Sequence, residues 1–242
     1  MEWREEGIIL GLRRYGETSV IAEILTRTRG RWLGLVRGGR SRAMRPVLQP
    51  GNLVLASWRA RLEDHLGTFI TEPVTLRAGT IMADPLQLAA LTTLTALAQF
   101  LPEREAHPRI YDAMRLVIDR LEEPAIWPAL LVRWELGLLD ELGFGLDLGR
   151  CAVTGSTENL IYVSPRTGRA VSRSAGEAYR DKLLSLPEFL RGSQGAALQL
   201  ADILAGFELT GHFLSRHIFE PRGAAAPQSR SWMLTQLAER PH

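Results

Sequence analysis

Two hydrophobic rhythms divide the chain. Over residues 6–77 apolar positions come in short, β-branched or alternating blocks separated by Gly-containing turns, which predicts strands over 7–12, 19–26, 31–36, 53–61 and 68–76. The segment Thr28-Arg29-Gly30 reads as a hairpin turn, and 38–46 as a polar loop. Five short strands in this span fit a small Greek-key barrel of the OB type. From Asp84 the spacing becomes helical. Asp84-Pro85 is a start signal, with Asp as the cap and Pro in the first turn.

Residues 86–101 are apolar almost all round, the pattern of a helix at the centre of a bundle. Residues 109–121 place Ile110, Met114, Val117, Ile118 and Leu121 on one face, and 125–142 place Leu130, Leu131, Trp134, Leu138 and Leu142 on another, with Gly143 as a stop. Residues 159–164 and 169–172 predict a small hairpin around Pro165-Arg166-Thr167-Gly168. Helices are expected again over 178–190 and 196–219, with a short last one over 231–239. The expected class is therefore α+β: an OB barrel over 1–80 and a helical domain over 81–242, with 150–175 as a hairpin insert.

A length of 242 residues with 45% hydrophobic content supports folded domains with real cores. No apolar run is long enough for a membrane helix, and the first residues, Met-Glu-Trp-Arg-Glu-Glu, lack the features of a secretory signal. One cysteine excludes an intramolecular disulfide framework. The expectation is a cytoplasmic protein.

Charge is segregated behind a net value of +2. Residues 24–62 hold nine arginines and neither Asp nor Glu. Arginine forks suit phosphate oxygens and aromatic rings give bases a face to stack on. Arg29 and Arg31 at the hairpin, Arg37, Arg40, Arg42 and Arg45 in the loop, and Arg59 and Arg61 beyond it are therefore candidate phosphate ligands. Trp32 and Trp58 could stack on bases or fill the barrel interior. Arg166, Arg169 and Arg173 could extend the basic track. Carboxylates on the third helix, Glu135 among them, read as solvated or paired with arginine.

The phosphate-binding glycine motifs, the nucleophile elbow and the zincin helix motif are all absent from the sequence. His212 and His217, five residues apart, do not converge on one helix face. An enzyme is not expected, and no cofactor or metal.

The order of parts resembles the RecO family of bacterial DNA repair and recombination mediators over nearly the whole chain. The resemblance is carried by Gly7-Ile8-Ile9-Leu10 with Tyr15-Gly16-Glu17, by Val36-Arg37-Gly38-Gly39-Arg40, by the helix 133–144, and by Cys151-Ala152-Val153-Thr154-Gly155, Val163-Ser164-Pro165 and Gly168-Arg169-Ala170-Val171-Ser172. It implies an OB domain followed by a helical domain. It also implies binding of single- and double-stranded DNA, strand annealing, contact with the tail of the single-strand binding protein, and work with RecR, and in some pathways RecF, to load RecA. Some members carry a zinc site of two C-x-x-C pairs. The matching positions here are Cys151 with Thr154 and Ser172 with Ala175, so no zinc is expected and packing of Ile161, Val163 and Val171 should hold the insert. For the acidic tail an apolar slot beside a cation is needed, which Phe213, Arg216, His217 and Phe219 could supply. Two other classes remain open: an OB-fold RNA-binding or ribosome-associated protein, and an adaptor whose arginines meet an acidic protein.

Overall fold

The computed structural model describes residues 1–191 and 198–239. It forms two compact units, Met1–Glu122 and Glu123–His242. In the first, β1 (Glu2–Tyr15), β2 (Ser19–Thr26), β3 (Gly30–Val36), β4 (Leu53–Arg59) and β5 (Thr68–Thr75) close a barrel in the order β1-β2-β3-β5-β4. This is the expected OB barrel. The long β1 closes it by pairing with β4 through its first half and with β2 through its second, with a register shift between Ile9 and Gly11. A shift of this kind bends a strand and lets it serve two neighbours. Inward residues such as Ile9, Ala22, Ile24, Val54, Ala56 and Phe69 fill the interior.

Three helices complete the first unit: α1 (Ala78–Ile81), α2 (Pro85–Ala98) and α3 (Pro108–Asp119). Asp84 caps α2 as expected, its carboxylate accepting from the Leu86 and Gln87 amides at 2.8 and 3.3 Å. The all-apolar α2 is not the centre of a helical bundle. It packs against β1, where Ile8 and Leu10 are buried and need cover. The five apolar residues predicted on α3's side of its helix are buried.

The second unit contains α4 (Trp127–Glu141), β6 (Leu160–Val163), β7 (Ala170–Ser172), α5 (Arg173–Gly176), β8 (Leu184–Ser185), α6 (Leu200–Leu214) and α7 (Gln228–Ala238). The predicted hairpin is present as β6 and β7. A third strand, β8, joins it to give the order β7-β6-β8. The helix expected over 178–190 is absent. Two 3-10 turns, Glu177–Lys182 and Glu188–Arg191, flank β8 instead. Pro187 explains this, because the residue before a proline is pushed out of the helical region. Helix α6 starts at Leu200 and passes into a π turn at Ser215–Phe219; residues 196–197 of the expected helix lie outside the described residues. Helix α7 docks on α6, burying Arg230, Met233 and Leu237.

Candidate nucleic-acid interface

The connection between β3 and β4 is a wound structure. Successive backbone hydrogen bonds, Ser41 to Gly38, Arg45 to Ser41 and Leu48 to Met44, coil it into turns. Val47 and Leu48 anchor it in the barrel core. Gly39 lies so close to Val20 that a β-carbon there would meet Val20 Cγ2 at 2.6 Å. Asn52 locks the far end. Its side-chain amide is wholly buried, donating to the carbonyls of Pro46 and Val47 at 2.8 and 3.0 Å and accepting from the amides of Arg77 and Ala78 at 2.9 and 3.0 Å.

Arg40 clamps this connection to the β1–β2 turn. Its amide donates to the Thr18 carbonyl at 3.0 Å, and its guanidinium donates to the carbonyls of Gly16 and Glu17. Arg40 is therefore a structural cation, which corrects its expected role as a free phosphate ligand. The clamp brings the end of β1 beside the connection. Arg13 and Arg14 at the end of β1 and Arg37, Arg42 and Arg45 on the connection are exposed, and none of their guanidiniums has a hydrogen-bond or ion-pair partner among the described residues. Residues 36–52 contain no acid; Glu17 is the one acid in the adjoining turn. Arg13 and Arg14 were missed because the acid-free run begins only at Ile24. The doublet ahead of Tyr15-Gly16 was the available signal.

The nine arginines do not form one surface. Arg29 and Arg37 sit beyond opposite ends of β3, about 25 Å apart along an extended strand. Arg29 is exposed in the β2–β3 turn, and Arg61 enters the β4–β5 connection, whose carbonyls at Glu63, Asp64 and His65 accept from Arg104. Arg59 is exposed at the end of β4. Arg31 is a second correction: its guanidinium pairs with Glu23, donates to the Leu101 carbonyl at 2.8 Å and lies 3.7 Å from Glu103. With that geometry it braces β2, β3 and the chain after α2, and has little left for a phosphate.

Trp32 and Trp58 are core residues, 2% and 1% exposed, which settles the choice against base stacking. Their rings pack edge to face at 4.6 Å, and Trp3 and Phe69 join the cluster. Each indole N–H is already spent, Trp32 on the Arg29 carbonyl at 2.7 Å and Trp58 on the Leu66 carbonyl at 3.0 Å.

In the second unit, the slot expected at the end of α6 is closed. Phe213 and Phe219 are buried. Arg216 is exposed, but its guanidinium donates to the Pro165 carbonyl at 2.6 Å, and His212 Nε2 lies 3.0 Å from the same oxygen. His217 stacks on Phe144 at 4.7 Å and on Phe213 at 6.0 Å. Burial, with the charges of Arg216 and His212, holds its imidazole below the usual range. A neutral, stacked ring is not an anion site. On the insert, Arg166 and Arg173 are exposed while Arg169 lies 3.4 Å from Asp147.

Cys151 is buried at the root of the insert. Its sulfur accepts from the amides of Ser172 and Thr154 at 3.3 and 3.5 Å and lies 3.4 Å from Ser172 Oγ. Burial pushes this thiol up, but the hydrogen bonds from Ser172 and Thr154 outweigh it and bring it down to about 6. One thiolate with Thr154, Ser172 and Ala175 does not make the four-donor shell of a structural zinc. Val163 and Val171 are buried as expected, and the hydrogen bonds to sulfur add a second tie.

A closed five-strand barrel with an acid-free, arginine-bearing connection at one end belongs to the OB class of binding barrels. The particular family follows from comparison. The chain belongs to the recombination protein O family: residues 1–77 match its N-terminal model and residues 82–225 its C-terminal model. It is 54% identical over 230 residues to the DNA repair protein RecO of Rhizobium etli, covering 95% of this chain and 90% of that protein. It is 53% identical over 234 residues to the one from Methylobacterium nodulans, covering 95% of each. The protein of the same name from Methylorubrum populi is 51% identical over 236 residues, 96% of each.

Proposed function

We propose that this chain is a DNA repair and homologous recombination mediator that binds single- and double-stranded DNA without reading sequence, anneals complementary strands, and with RecR helps load RecA onto DNA covered by single-strand binding protein. The observation that carries the DNA step is the set of exposed guanidiniums, unpartnered among the described residues, of Arg37, Arg42 and Arg45 on a connection that its own hydrogen bonds hold in shape, with Arg13 and Arg14 at the end of β1. Free guanidiniums on an ordered platform meet phosphates without first breaking an ion pair. Two strands held on one positive surface repel each other less, which favours annealing. The role is one of binding and positioning, not bond-making. The insert is read as metal-free, given its single thiolate. RecR, RecF and the single-strand binding protein enter as partners on the strength of family membership.

Fluorescence anisotropy of a labelled single strand at several salt concentrations tests the reading. Wild type should bind with steep salt dependence, and the triple variant Arg37→Ala/Arg42→Ala/Arg45→Ala should bind weakly with a shallower slope. Binding that survives the triple variant would move the site elsewhere. RNA of equal length, added as competitor, separates DNA from RNA preference, since only RNA offers the 2′-OH.

A further inference from the structure

We infer that the cleft where β3 meets β5 captures one unstacked nucleobase of a single strand, with Arg37 at its mouth taking the adjoining phosphate. The inference rests on the DNA reading above and adds a specific subsite to it. The barrel closes between these two strands through one parallel pair, Leu35 with Thr68. Beside that pair lies a cleft of about 430 Å³, walled by Val36, Met44, Phe69 and Ile70. Its size falls within the ~300–1,000 Å³ range of small-ligand sites.

Three features select a base as occupant. The walls are apolar, and Ile70 is 69% exposed at the lip. A thioether such as Met44 adapts its shape to a flat ring. Thr71 also lines the cleft; it is 8% exposed, and its hydroxyl is buried without a hydrogen-bond partner. A hydroxyl both donates and accepts, so it can meet the mixed polar edge of any base. Finally, Arg37 is the one charged residue lining the cleft among the described residues, and its guanidinium is uncommitted. The unpartnered cations continue from it along the same connection to Arg42 and Arg45. A strand with one base in the cleft therefore has further phosphates to place against them. A base inside a duplex has its polar edge paired and cannot enter, so the site acts on single strands alone.

The full chain carries the test through Thr71→Val, which keeps the branching and removes the hydroxyl. Single-strand affinity should fall roughly three- to tenfold, as for loss of one hydrogen bond. Affinity for a duplex of the same sequence should not change, and the melting temperature should stay level or rise, because an orphaned hydroxyl has gone. In parallel, irradiating the wild-type complex with a 4-thiothymidine-bearing single strand should give adducts in peptides containing Met44 or residues 68–71. Unchanged single-strand affinity with adducts elsewhere overturns the base site and leaves the DNA reading standing. Absence of DNA binding by wild type overturns both. Loss of affinity for an acidic apolar peptide, with single-strand binding intact, identifies the cleft as a peptide site and overturns the inference.

Discussion

Arg230 on α7 grips Glu135 on α4 with two parallel hydrogen bonds, Nε to Oε1 at 2.8 Å and Nη2 to Oε2 at 2.9 Å. The carboxylate is wholly buried and the guanidinium nearly so. Thr210 Oγ1 donates to the same carboxylate, and Arg230 Nη2 also reaches the Phe207 carbonyl at 2.8 Å. Gly211 makes room for the fork, since a β-carbon there would meet Arg230 Nη1 at 2.9 Å. The last helix is thus held by a bidentate pair as well as by Met233 and Leu237.

Breaking one side of this pair should cost far more than removing both. Arg230→Met leaves a buried carboxylate with Thr210 alone and should destabilise the second unit by ~3–5 kcal/mol. The double variant Glu135→Leu/Arg230→Met should recover much of that loss. Calorimetry on the wild type, both single variants and the double variant gives the coupling directly. Additive losses would show that the two groups do not depend on each other.

Arg40 and Arg42 are two residues apart but should behave differently. Arg42→Ala should weaken single-strand binding and lower the salt slope by about 0.7, with no change in melting temperature. Arg40→Ala should lower the melting temperature, because the carbonyls of Gly16 and Glu17 lose their donor, and should weaken DNA binding only through the loosened connection. Thermal melts beside salt titrations on both variants separate the two roles.

Asn52 satisfies four backbone groups from one buried side chain. Asn52→Ala leaves two carbonyls and two amides without it and should cost ~2–4 kcal/mol. Urea unfolding monitors the loss, and a change below ~0.5 kcal/mol would show that the connection holds itself.

Cys151 predicts a pH dependence. Its thiol stands at about 6 in the fold against an ordinary 9.0. A group depressed in the folded state adds stability that is complete above its unfolded value and is lost as pH falls through its folded one. The contribution should therefore be full above about pH 9, decline between 9 and 6, and be absent below. Cys151→Ala should flatten the stability profile over that window. Since Cys151 is the only cysteine, thiolate absorbance near 240 nm reports its titration without overlap from another thiol.

The barrel was legible because alternation and turn glycines state strand and face directly; so was α3, whose apolar positions fall on one side. What escaped depends on contacts between distant residues. Asn52 reads as a turn residue until the amides of Arg77 and Ala78 are brought to it. Arg230 is a single cation in a polar stretch; the arginine pairing open to Glu135 has no identifiable partner until α4, α6 and α7 pack. Of the basic run, local sequence marked the β3–β4 connection as a place rich in cations. It could not tell Arg37 and Arg42 from Arg31 and Arg40, because the Glu23 carboxylate and the Gly16 and Glu17 carbonyls that occupy the latter pair are set by the fold. Arg13 and Arg14 joined the site only through the Arg40 clamp.

That clamp also bears on how quickly the protein can let go. A connection already wound and tied before a ligand arrives has little freedom left to surrender, so capture and escape proceed without a folding step. A surface built this way can exchange a bound ligand rapidly, which would suit the strand annealing proposed above.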